Sequence, residues 1–333
     1  MIITRTPFRI SFFGGGTDYP TWYEKNGGAV LSASINKYCY VTCRYLPPFF
    51  DFNYRVRYRE QEETQTIHEI KHPSARECIA FSGVRHGVEL QHNTDVPGRS
   101  GLGSSSAFTV GLLHALYALQ GKEVSKYQLA LDAIHVEQEK IKENVGSQDQ
   151  TATAFGGINR IEFGGKEKIK VTPLMLSDAT ITTLENHLLL FNTGQARSAS
   201  EIAAEQIKNT HQKTKELTAM QAMVYEAEKI LKGDTKNFNE FGKLLHESWQ
   251  LKRGLSSKIT NPMIDDAYAR ARAAGAVGGK LLGAGGGGFI LFYASPELHA
   301  EIKRAVKLPY VPFRFDKEGS KVIFQMSGDY YEV

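Results

Sequence analysis

The densest concentration of groups able to hold an anion is the run Pro97-Gly98-Arg99-Ser100-Gly101-Leu102-Gly103-Ser104-Ser105-Ser106-Ala107. Glycines directly before a helix let backbone N–H groups turn toward an anion without β-carbons in the way. The helix start adds unsatisfied donors and about half a positive charge. Ser104, Ser105 and Ser106 add hydroxyls, one of which could also ligate Mg2+. A tight turn with serine caps is the plainer alternative, but three serines exceed what a cap needs. The run reads as a phosphate site.

Two further segments carry chemistry. Arg9 through Gly14-Gly15-Gly16-Thr17-Asp18 places a cation and a carboxylate around a flexible loop. Arg9 and Asp18 suit either a structural ion pair or a polyol-binding loop in which Asp18 accepts from vicinal hydroxyls. Farther on, Glu137 and Glu139 stand two apart on a helix, so one faces inward and the other is solvated. Asp149, in Gly146-Ser147-Gln148-Asp149-Gln150, lies near a turn where an N-cap is the plain alternative to a chemical role.

The run Gly283-Ala284-Gly285-Gly286-Gly287-Gly288 fits G-x-G-x-x-G, but it follows a helix and opens a strand. A dinucleotide fingerprint runs the other way, from strand to helix. No G-x-x-x-x-G-K-[ST] occurs, which excludes a P-loop NTPase.

The elements that must position these groups are mixed. Strands are predicted at 2–3, 8–13, 29–35 and 38–45, with a strand-rich patch over 54–70. After the serine run, Phe108, Leu112, Leu116 and Leu119 mark a helix. Ser125 and Gln128 form a capping box for a second helix reaching about Lys142. Short strands follow at 158–163, 168–171 and 188–191, then helices over 198–231 and 235–253. Asn261-Pro262 caps another helix that Gly275 ends, before a strand at 289–293 and a short helix from Ser295-Pro296. The fold class is α+β, and 333 residues predict two domains.

The 40 basic and 36 acidic residues interleave without a basic stripe, so a nucleic-acid partner is not expected. The longest apolar run, Phe289–Ala294, is too short to cross a bilayer, so no membrane partner is expected either. Cys39, Cys43 and Cys78 read as free thiols of a reducing, cytoplasmic compartment. A homodimer is left open.

Together these segments resemble the GHMP kinase superfamily. Thr6-Pro7-Phe8-Arg9 through Thr17-Asp18-Tyr19 looks like motif one, Pro97–Ala107 like motif two, and Lys280–Gly288 like motif three. The resemblance implies a ribosomal protein S5 domain 2-like N-terminal domain over 1–183, carrying the ATP-binding loop, and a ferredoxin-like C-terminal domain over 184–333. It implies ATP with Mg2+ and a small-molecule sugar phosphate as substrate. The runs PFRISFFGGGTDYP, VGSQDQ and FNTGQARSA are most similar to D-glycero-α-D-manno-heptose 7-phosphate kinases, which implies phosphorylation of the anomeric C1 hydroxyl, toward GDP-heptose for surface glycans.

Carried over by position, Asp149 matches the catalytic aspartate and Arg9 the basic residue beside it. Gly101, Leu102, Gly103, Ser104, Ser105 and Ser106 match the phosphate-binding loop, with Gly285 and Gly286 beside the nucleotide. Ser105 and Glu137 match the Mg2+ ligands, with Ser104 and Ser106 as alternatives to Ser105. Asp18 matches the sugar-binding aspartate, flanked by Gly15, Gly16 and Thr17. Gly15-Gly16 stands where galactokinases have Glu-His, which argues against galactose. Arg197, at a helix start, is the candidate for a sugar 7-phosphate.

Overall fold

The computed structural model describes residues 1–98, 100–165, 168–194, 199–233 and 238–326. Its spine is an antiparallel pair, β1 (Ile2–Phe13) and β2 (Gly28–Tyr45), with register shifts at Pro7/Phe8 and Ser11/Phe13. Such bulges bend and twist a strand locally. The 18 residues of β2 are enough for two neighbours. Its first part pairs with β6 (Ile158–Phe163) and its second with β5 (Val88–Thr94). Strands β3 (Tyr54–Arg57) and β4 (Gln61–Thr64) extend the β5 side, and β7 (Ile169–Pro173) extends β6.

A smaller sheet holds β10 (Phe289–Tyr293) between β8 (Leu188–Asn192) and β9 (Gly278–Leu281). The expected division at 183/184 lies between β7 and β8, inside α6 (Asp178–His187). The tail crosses back: β11 (Lys321–Gln325) pairs with β1 and so belongs to the large sheet.

Helix α3 (Ser104–Leu119) packs on β1 and β2 and is apolar nearly all round, because α2 (Pro73–Ser82), α4 (Lys126–His135) and α5 (Gln148–Phe155) cover its other sides. The Ser125 hydroxyl accepts from Gln128 N at 3.1 Å, as the capping pattern requires. The helix it starts is shorter than expected: after His135 the chain widens into a π-helical turn, Val136–Lys140. The patch at 54–70 resolves into the β3–β4 hairpin and a 3-10 turn at Ile67–Glu69. The long helix expected from 198 is two helices, α7 (Ala199–Asn209) and α8 (Thr214–Lys232), with a 3-10 turn between them.

The two sheets share a core. Phe12 and Phe13 of β1 meet Phe241 of α9 (Asn239–Arg253) edge-to-face, with ring centroids 5.5 and 5.2 Å apart. Phe241 in turn contacts Tyr293 of β10. Edge-to-face pairs are a favourable arrangement for buried rings. This packing brings the ends of α9 and β9 up to the bulged end of β1.

Candidate active site

Arg9 lies on β1 and is 3% exposed. Its Nε donates to Asp149 Oδ1 at 2.8 Å and its Nη2 to Asp149 Oδ2 at 2.7 Å, a two-pronged ion pair. Its Nη1 donates to Gly101 O at 2.7 Å, and its backbone N to Leu102 O at 3.0 Å. A planar guanidinium suits such simultaneous bonding. One side chain therefore ties the first turn of α5 to the glycine loop before α3. Arg9 pairs with Asp149, not with Asp18.

Gly103 caps α3 at φ +76°, a conformation glycine adopts without strain. A β-carbon there would stand 3.4 Å from Asp149 Oδ2, so the carboxylate adjoins the start of the serine turn. The first intrahelical bond is Ala107 N to Gly103 O at 2.8 Å. The amides before it point out of the helix start, where an anion would be held.

Glu137 sits in the π-helical turn, fully buried, while Glu139 is exposed. The carboxylate accepts from Ser106 Oγ and Thr109 Oγ1, both at 2.8 Å, and from Gln150 Nε2. Burial pushes its pKa up to about 7, against the hydrogen bonds that lower it. No cation accompanies it among the described residues. A buried carboxylate with hydroxyl oxygens and no counter-charge suits a hard divalent cation. Here the serine beside Glu137 is Ser106, whereas Ser105 faces solvent. Of the three serines, Ser106 is thus the one that hydrogen-bonds Glu137.

Arg9, Asp149, Gly101, Gly103 and Ser104–Ser106 line one cavity of about 280 Å³, together with Gly15, Gly16 and Asp18 from the loop between β1 and β2, while Glu137 lies behind Ser106, outside that lining. Asp18 is 2% exposed; its Oδ1 accepts from Gly16 N at 2.9 Å, and burial raises its pKa. Ser11 Oγ and Gln148 Oε1 also line the cavity, buried and with no hydrogen-bond partner among the described residues. Such orphaned atoms suit a polyhydroxylated ligand.

Five expected residues among those described fall outside that lining, Glu137 behind Ser106 being one of them. Thr17 is fully buried and closes its own turn, its hydroxyl against Gly14 O and Ala29 O. Leu102 points into the core. Gly285 and Gly286 pack against Ile259, and it is Gly283 and Ala284 that reach the cavity. Arg197 lies outside the described residues.

Two lysines of the lining were not anticipated. Lys252 continues the buried stripe Phe241, Leu245, Ser248 of α9, an i, i+4, i+7, i+11 spacing legible in the sequence. Lys280 stands in motif three, on a strand buried along its length.

A glycine loop feeding a helix start, a buried carboxylate with a hydroxyl beside it, and an ion-paired aspartate together define a phosphotransferase site. The GHMP kinases N terminal domain matches residues 69–157 and the GHMP kinases C terminal domain matches residues 223–311. D-glycero-alpha-D-manno-heptose 7-phosphate kinase of Campylobacter jejuni is 31% identical, over 96% of this chain and 98% of its own length. A D-glycero-D-manno-heptose 1-phosphate kinase from Bacteroides thetaiotaomicron superposes with a TM-score of 0.79 at 23% identity, covering 98% of this chain and all of that one. Lactococcus lactis galactokinase complexed with galactose gives 0.73 at 20% identity, over 96% and 94% of the two chains. The chain belongs to the GHMP kinase family. It is a kinase and, as the family does, uses ATP. No helix among its described residues is long and apolar enough to cross a membrane.

Proposed function

We propose that this kinase transfers the γ-phosphoryl group of ATP to the anomeric C1 hydroxyl of D-glycero-α-D-manno-heptose 7-phosphate, giving the 1,7-bisphosphate. The observation that carries the reading is the Arg9–Asp149 pair set against the start of α3 in one cavity. The similarity to the Campylobacter jejuni heptose kinase supports the substrate, and the orphaned Ser11 and Gln148 oxygens beside Asp18 support a polyol.

In this reading Gly101, Gly103 and the amides of Ser104–Ser106 cradle the nucleotide phosphates. Asp149 accepts the hydrogen of the attacking hydroxyl while Arg9 fixes its orientation. An anomeric hydroxyl is more acidic than an ordinary alcohol, so orientation with late proton transfer suffices. Ser106 and Glu137 would hold Mg2+, which would neutralise charge on the phosphate oxygens. Asp18 binds sugar hydroxyls, and Gly15 and Gly16 leave room where bulkier side chains would stand. Residues 1–183 and 184–333 act as the two domains, with the site between them.

An ADP-release assay over a panel of sugars tests the proposal. Turnover of the heptose 7-phosphate well above that of the unphosphorylated heptose, L-fucose and galactose is expected. Equal rates with and without the 7-phosphate would remove the heptose-phosphate assignment and leave another sugar.

A further inference from the structure

Lys252 and Lys280 are buried amines without an ion-pair partner among the described residues, and burial lowers the pKa of both, that of Lys280 well below its ordinary value. Lys252 is 6% exposed; its Nζ donates to Leu281 O at 3.3 Å and to Gly283 O. Lys280 is 2% exposed and donates once, to Phe12 O at 2.7 Å. An ammonium has three donors. One donor of the Lys252 ammonium and at least one of Lys280 are therefore unused among the described residues, in side chains that both line the cavity. The charge of Arg9 is already taken up by Asp149. An uncompensated buried ammonium is costly, so it persists where an anion is to arrive.

The place of arrival follows from the packing. Gly283, whose carbonyl Lys252 holds, lies against the phosphate loop: a β-carbon on Gly283 would stand 2.5 Å from Gly101 Cα. The Gly101 carbonyl is in turn bound by Arg9 Nη1. Lys252 and Arg9 thus flank one contact between the glycine-rich loops of the two halves.

We propose that Lys252, backed by Lys280, is a catalytic residue that contacts the non-bridging oxygens of the phosphoryl group as it passes from nucleotide to acceptor. In that state charge spreads over the equatorial oxygens, and a pre-positioned donor from the second half stabilises it. No bond to nitrogen forms, and the proton stays on Nζ. Burial and then the charge of Arg9 hold the Lys252 pKa down at about 8, so it remains a cation at neutral pH. The proposal needs only the kinase chemistry of the family. Its failure would leave the heptose assignment standing, and the reverse also holds.

Calorimetric titration without sugar isolates the contact. For Lys252→Met, affinity for Mg·AMPPNP is expected to fall about tenfold or more while affinity for Mg·ADP stays within about twofold, the signature of a lost charge-assisted bond to the γ-phosphate. Lys252→Arg, which keeps the charge, should recover part of the loss. Equal losses for both nucleotides would show that Lys252 merely braces the glycine loop, and would overturn the proposal. So would unchanged affinity for both nucleotides with a defect confined to the phosphorylated form of a sugar, since the lysine would then read the phosphate of the sugar.

The wild-type protein supplies a check that needs no variant. The preference for Mg·AMPPNP over Mg·ADP should weaken as pH rises through about 8, where Lys252 loses its proton. The charged groups facing it are Arg9 on β1, Asp18 in the loop after β1, Asp149 on α5 and Lys280 on β9. A preference that is flat or rising across that range would refute the contact.

Discussion

Gly146 stands directly over Asp18: a β-carbon at Gly146 would lie 1.8 Å from Asp18 Oδ2 and 2.6 Å from its Cγ. Ser147 N, the next amide, donates to Asp18 O at 2.9 Å, so the chain is fixed at this approach. The segment before α5 and the loop after β1 can meet there only if residue 146 has no side chain.

Gly146→Ala should therefore push the Asp18 carboxylate away and weaken sugar binding with little effect on nucleotide. A rise of about tenfold in the sugar KM, with the ATP KM within about twofold, is the expected size for one misplaced polar contact to substrate. Steady-state kinetics with each substrate varied in turn would measure it. An unaltered sugar KM in both Gly146→Ala and Asp18→Asn would disconnect Asp18 from the sugar.

Asp149→Asn keeps the shape of the side chain but removes its charge and one acceptor of the two-pronged bond. Arg9, almost fully buried, would keep its bond to Gly101 O and lose its anionic partner. A fall in kcat of about 100-fold or more is expected for a positioned acid–base group. Arg9→Lys should also lose most activity, because an ammonium cannot make the two parallel bonds. An Asp149→Asn enzyme within about threefold of wild type would refute the role of Asp149.

The site was legible in the sequence wherever it is local. The Gly101–Ser106 loop needs only glycines and serines before a helical pattern, and α3 begins at Ser104 as that pattern requires. Spacing alone left the partner of Arg9 open, and it was the family resemblance that set Arg9 beside Asp149. Arg9 is nine residues from Asp18 and 140 from Asp149, yet it bonds to the more distant one, because β1 and α5 converge on the glycine loop. Which serine hydrogen-bonds Glu137 depends on the rotation of α3 relative to the π-helical turn that carries it, and no periodicity foretells that turn. The motif-three glycines Gly285 and Gly286 show the reverse error: their freedom from side chains serves packing on Ile259, whereas the loop meets the cavity two residues earlier. Lys252 could have been found, since a lysine in an apolar helical stripe is an anomaly with a physical cause.

Glu137→Gln should keep the hydrogen bond from Ser106 and lose the negative charge. If Ser106 and Glu137 hold Mg2+, the Mg2+ concentration giving half-maximal rate should rise about tenfold or more, in line with loss of the charged ligand of an ion that takes few protein ligands. Ser106→Ala should shift the same titration in the same direction, and Ser105→Ala should shift it less. The ordering of the two serine variants is the decisive result. A larger effect at Ser105 would return the metal to the solvent-facing hydroxyl.

The cysteines should be chemically silent. Cys39, Cys43 and Cys78 are free and buried, and burial pushes the Cys43 thiol up to about 12 and raises the other two well above the ordinary thiol value. The thiolate is the reactive form, so alkylation by iodoacetamide should be negligible in the native protein and complete after denaturation. Rapid labelling of any one of them under native conditions would contradict this packing.

Acid should weaken the fold around the phosphate loop. His92 on β5 packs its ring 4.8 Å from Phe108, in the first turns of α3, and His72 packs 5.0 Å from the same ring. Burial, and then the neighbouring His72, hold the His92 pKa down at about 4, against an ordinary 6.5. Above 6.5 the residue is neutral in both folded and unfolded chains and contributes no pH dependence. As pH falls from 6.5 toward about 4, the unfolded chain takes up a proton that the folded one refuses, so stability is lost across that window. His92→Gln removes the titration, and its Tm should decline less steeply over the same range than that of the wild type. Thermal melts at a series of pH values would show the difference. Superimposable slopes would mean that His92 accepts a proton in the folded protein, and that the ring stack beneath α3 is open to water.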